Sequence, residues 1–113
     1  MATNKELQEE PLTRREELQK IFENVDESEK QLVDKLLDEV VFLEEKMVEL
    51  KKMPFVSVHP TNPALQKTTP AAKLYKECTQ SYFNAIRILL NTLRKVESSA
   101  QNELMKKLSE FEL

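Results

Sequence analysis

MPFVSVHPTNPALQKTT, residues 53–69, decides how this chain folds: it interrupts two long stretches of helix pattern and carries three of the five prolines, Pro54, Pro60 and Pro63, with Pro70 just beyond. The chain has no glycine. Pro54 disfavours helical geometry at Met53. A structureless connection of this length is uncommon in a compact domain unless it works as a functional element or stays disordered. Within it, Phe55-Val56-Ser57-Val58 alternates like a short strand, and a lone strand needs a partner. Two readings follow. Either the strand pairs with the same segment of a second copy, or the segment runs extended and Phe55 plugs the end of a helical hairpin.

Upstream of this Pro-rich connector, Leu32, Leu36, Val40, Leu43, Met47 and Leu50 recur at steps of four and three, close to a coiled-coil seam, with Val33, Leu37, Val41 and Val48 as a flanking stripe. Asp26 or Ser28 can cap this helix, Glu27 and Glu29 suit its positive end, and Lys51 and Lys52 its negative end, so a long helix is expected over 26–52. Downstream, Thr69-Pro70 places a capping residue before a first-turn proline. Tyr75, Tyr82, Ile86, Leu89, Leu93 and Val96 then share one stripe, with Leu74, Cys78, Ala85, Ile88 and Leu90 beside it. Ser98 and Ser99 do not compel a break, and Leu104, Met105 and Leu108 prolong the pattern, so the second long helix is expected over 70–108. Segments 26–52 and 70–96 would each run roughly 40 Å at ~1.5 Å per residue, which suits an antiparallel hairpin. Its seam sets Leu36, Val40, Leu43 and Met47 against Tyr82, Ile86, Leu89 and Leu93. Before the hairpin, Thr13 and Glu16 have capping-box spacing, and Leu18, Ile21, Phe22 and Val25 give a short helix within 13–25. The expected fold is therefore all-α: a long antiparallel helical hairpin with a short N-terminal helix and a Pro-rich connector, one domain over 13–113 behind a flexible N-terminus, 1–12.

The composition excludes several classes of function. The chain's single His and single Cys, with no glycine loop to cradle phosphate and no paired ligand spacing, leave no catalytic or zinc constellation. Cys78 reads as a small core residue, since His59 lies in the connector, and Asp38, Glu39, Glu44, Glu45 and Glu49 read as a solvated helix face rather than a magnesium site. No enzyme activity, cofactor or metal is expected. One cysteine cannot form an intramolecular disulfide, and without a secretory signal or an apolar run of ~18 residues the expectation is a cytoplasmic protein with no membrane partner.

The net charge of −3 hides a segregation: residues 26–52 carry five cations against nine anions, residues 53–96 six cations against one anion. Lys67, Lys73, Lys76, Arg87 and Arg94 are candidate DNA contacts, effective once several subunits align them; the competing reading has the cations of this segment pairing with the acidic helix. Arg14 and Arg15, at a helix start, are a second candidate phosphate pair. Both long helices present two apolar stripes where a simple hairpin fills one seam. This implies self-association, or cover by the short helix through Ile21 and Phe22, or both at once.

A heptad-like helix, the β-branched segment Phe55–Val58, then His59-Pro60-Thr61-Asn62-Pro63-Ala64 and a basic-leaning helix resembles the small terminase subunits of tailed phages, over roughly residues 18–96. The Asn62-Pro63 step carries the resemblance best, with His59-Pro60 before it and Lys73 and Lys76 opening the second helix. The resemblance implies a homo-oligomer, a ring of helical hairpins that engages packaging-initiation double-stranded DNA and regulates a large terminase subunit, in an infected bacterial cell. The chain departs from many members in lacking room for a helix-turn-helix before the hairpin, where residues 1–25 carry four cations and six anions. The alternative is a generic helical oligomerisation or protein-interaction module with no DNA role.

Overall fold

The computed structural model describes residues 11–96 and 98–111. Most of the expected flexible N-terminus thus lies outside the described residues, as do residues 97, 112 and 113 of the C-terminal segment. The described residues are mostly helical, in four helices with a small two-stranded sheet: α1 (Arg14–Ile21), α2 (Glu27–Lys51), β1 (Val56–Val58), β2 (Gln66–Thr68), α3 (Pro70–Leu93) and α4 (Ser98–Ser109).

Each helix begins where its local chemistry permits. The Thr13 hydroxyl accepts from the Glu16 amide at 3.2 Å, and Glu16 reaches back to the Thr13 amide at 3.1 Å, which closes the capping box of α1. Asp26 precedes α2 without a side-chain cap, its carbonyl taking the amides of Glu29 and Lys30. Thr69 caps α3 by accepting from the Ala72 amide, and Pro70 fills the first position, where a missing amide hydrogen costs nothing.

α2 and α3 run antiparallel, because Thr79 lies by Met47, Tyr82 by Glu44 and Lys95 by Glu29. Of the expected seam, Val40, Leu43, Met47, Tyr82, Leu89 and Leu93 are buried and Ile86 is partly buried against them. Leu36 is only partly buried, and Leu32 is 53% exposed; toward its N-terminus the core stripe of α2 runs instead through Leu37 and Val33. The reason is α1, which packs on α2 and brings Leu18, Phe22 and Val25 into the same core. The short helix therefore covers part of the surplus stripe.

Two expectations need correction. The connector is not a single strand awaiting a second copy: β1 pairs antiparallel with β2 of the same chain, Val56 opposite Thr68 and Val58 opposite Gln66. Phe55 does lie against the hairpin end, its ring 5.2 Å from that of Tyr75. Nor does the second long helix run on to 108. α3 ends at Leu93, a turn over Arg94–Val96 reverses the chain, and α4 packs back on α1 and α3, its first turns pinned where the Gln101 amide donates to the Leu90 carbonyl at 2.8 Å. Folding back buries Leu104 completely, a gain that a straight extension beyond the hairpin would forfeit.

Candidate functional site

Three features outside the aliphatic core carry the molecule's chemistry: one buried charge network, two outward helix faces and one basic end. The network centres on Glu44, 4% exposed in the middle of α2. Arg14 grips both its oxygens, Nε to Oε1 at 3.0 Å and Nη2 to Oε2 at 2.8 Å, and Tyr82 donates its hydroxyl to Oε2 at 2.7 Å. The remaining Arg14 nitrogen donates to the Lys107 carbonyl at 3.0 Å, and the guanidinium sits 5.5 Å from the Phe111 ring centre. One carboxylate thus ties α1, α2, α3 and the end of α4 together. Burial, reinforced by the hydrogen bond to Glu44 and its charge, pushes the Tyr82 phenol well above its ordinary value. The bond to Glu44 likewise raises Arg14, outweighing the opposing effect of burial.

Three residues are reassigned by the partners they find. Arg14 is only partly exposed and its donors are engaged by Glu44 and a backbone carbonyl, so it is not free as a phosphate ligand. Arg15 is held by Asp38 at 2.7 Å and by Asp34 at 3.3 Å. Glu44, expected on a solvated acidic face, is the buried centre. Sequence reasoning had no local signal for it, since Glu45 beside it is exposed; the partner that distinguishes them lies 30 residues upstream. Cys78 is partly buried against the core, as a small core residue would be.

The second feature is a pair of outward faces. On α3, Lys73, Lys76, Phe83 and Arg87 are all exposed and share the stripe opposite the core, and Arg94, just past the helix end, is exposed as well. On α2, the outward stripe holds Asp38, Phe42, Glu45 and Glu49. Phe83 and Phe42, at 62% and 57% exposed, are among the most solvent-exposed apolar side chains described. Beside Phe83 an apolar groove of about 330 Å³ opens between α3 and α4, lined by Tyr82, Ile86, Met105, Leu108 and Phe111. Among the described residues the cations of this region make one ion pair with α2, Lys95 to Glu29 at 3.5 Å. The expected neutralisation of the basic segment by the acidic helix within one chain is therefore slight.

The third feature is the connector. All six ribbon residues and Lys67 among them are exposed. The His59-Pro60-Thr61-Asn62-Pro63 motif forms its tip: His59 Nδ1 accepts the amides of Thr61 and Asn62, both at 3.2 Å, and Asn62 Oδ1 accepts the Ala64 amide at 3.2 Å. His59 is thus a turn-former, with Pro60 and Pro63 in the exposed bend. Among the described residues no group of His, Cys, Asp or Glu is arranged to hold a metal, and no helix is long and apolar enough to cross a membrane.

Comparison with known proteins returned no matching family model, no matching curated protein and no matching solved structure.

Proposed function

We propose that this chain is the repeating subunit of an oligomeric adaptor of the small-terminase kind, a helical hairpin that assembles with copies of itself, engages double-stranded DNA and regulates a large terminase subunit. The observation that carries this reading is the complementarity of the outward faces: Phe83 beside Arg87 on α3, with Arg94 just past the helix end, and Phe42 set among Asp38, Glu45 and Glu49 on α2. Opposite signs around two exposed aromatics suit a contact in which the α3 face of one copy meets the α2 face of the next. Such a head-to-tail contact generates closed rings or open filaments instead of two-fold dimers. A radius of gyration of 19.1 Å, against about 13 Å for a compact chain of this size, leaves an elongated subunit with much surface to cover.

The internal engagement of Arg14 and Arg15 favours the second reading, a helical oligomerisation module with no DNA role. It uses the same faces and differs only in its partner. Native mass spectrometry with and without duplex DNA tests both. The adaptor reading predicts a closed oligomer that takes up duplex in a salt-sensitive way and reverts to monomer on Phe83→Asp. A spectrum of monomers alone contradicts both readings, and an oligomer indifferent to duplex leaves only the second.

A further inference from the structure

We propose that the basic end of the hairpin, the β1–β2 ribbon with the two helix ends that flank it, is the surface that docks on double-stranded DNA, its lysines on phosphates and its ribbon in the major groove. The inference rests on the DNA-binding part of the adaptor reading and gives it a location. Residues 51–76 carry Lys51, Lys52, Lys67, Lys73 and Lys76 and no Asp or Glu, in a chain whose net charge is −3. Among the described residues only Lys52 of these five has an ion-pair partner, Glu49 at 3.2 Å on an exposed helix turn. The fold gathers the five at one end. Lys51 and Lys52 end α2, Lys73 and Lys76 lie in the first two turns of α3, and Lys67 sits in β2 opposite Ser57.

The ribbon itself supplies the second line of argument. A lone two-stranded hairpin is marginal in water, and no residue of β1 or β2 enters the core, Val56 and Val58 being 48% and 50% exposed, so core burial is not what it is built for. Yet it is fastened at both ends. At its base the Thr69 hydroxyl donates to the Pro54 carbonyl at 2.7 Å and the Thr69 amide to the Phe55 carbonyl at 3.1 Å, with Phe55 against Tyr75. At its tip His59 and Asn62 hold the turn. A shape fixed before binding loses less entropy on docking.

Its size and chemistry fit a duplex. B-DNA's major groove, about 12 Å wide, admits a two-stranded ribbon. The register puts Val56, Val58, Gln66 and Thr68 on one ribbon face and Lys67 on the other. The first face offers methyl groups for thymine and an amide for adenine, and the lysines gathered at this end offer charge to the flanking backbone. Five cations on one copy bind weakly, and an assembly repeats them in a row.

Fluorescence-anisotropy titrations of a mixed-sequence duplex across a salt series, with assembly mass followed in parallel, test the proposal. Lys51→Gln/Lys67→Gln/Lys73→Gln should keep the wild-type assembly, weaken binding, and reduce the slope of log K against log salt by about one per lysine for each bound subunit. Lys20→Gln/Lys106→Gln, exposed and remote from the ribbon, should leave the slope unchanged. If wild type binds duplex and the ribbon variant keeps the full slope, the ribbon surface is refuted while the adaptor reading stands. If wild type binds no duplex at low salt, both fall, and uptake by phosphatidylserine vesicles in that case would assign the lysines to a membrane surface.

Discussion

At the scale of single residues, the Glu44 carboxylate determines more of this structure than any other polar group described. A buried ion pair adds little beyond an apolar pair of the same volume, but removing one partner strands the other charge. Arg14→Met should therefore cost about 3 kcal/mol in urea denaturation, and Arg14→Met with Glu44→Leu should recover most of that loss. Tyr82 adds a pH signature. Its folded pKa is raised, so the stability it confers is fully present below the unfolded tyrosine value of about 10 and disappears as pH rises through the higher folded value. The stability advantage of wild type over Tyr82→Phe should hold at neutral pH and decline above about pH 10; an advantage constant with pH would contradict that assignment. None of this was legible locally. Arg14 and Arg15 carry the signature of phosphate ligands and Glu44 that of a solvated face, and only tertiary pairing separates these readings.

At the scale of elements, the caps and turn-formers are where sequence and structure coincide. Thr13 with Glu16, and Thr69 with Pro70, mark helix starts because each satisfies a geometric demand within a few residues. The hairpin follows from the paired apolar periodicities of α2 and α3. The two elements that escaped the reading, β2 and the turn before α4, share a physical reason: both depend on contacts distant in sequence. Gln66-Lys67-Thr68 has too little β-character to announce a strand and becomes one because β1 lies across the turn. Ser98 and Ser99 are compatible with a continuous helix, and the turn before them is stabilised by what the reversal buries. A direct check exploits two neighbours that a straight solvent-exposed helix would treat alike. Leu104→Ala should destabilise by about 2–5 kcal/mol, as a filled core position does, and Met105→Ala, 58% exposed, by no more than about 0.5 kcal/mol. Equal small effects in urea denaturation would mean that α4 does not dock.

At the scale of the whole molecule, the account is one of separated surfaces. Charge of opposite sign lies on opposite long faces of the hairpin, each around an exposed aromatic, and the lysine-rich ribbon occupies one end. In the proposed function the long faces would serve copies of the chain and the end would serve DNA, so that assembly and nucleic-acid binding need not compete for the same side chains. The resemblance of the Asn62-Pro63 connector to small terminase subunits accords with that division but does not carry it; the division rests on where Phe42, Phe83 and the lysines fall. The central claim is the head-to-tail contact, and thiol cross-linking tests it most directly. In a Cys78→Ser background, a chain bearing Phe42→Cys is mixed with one bearing Phe83→Cys and treated with a short thiol-specific cross-linker. The account predicts a covalent dimer in the mixture that neither variant forms alone. No dimer in the mixture, or equal dimerisation of each variant by itself, would contradict it.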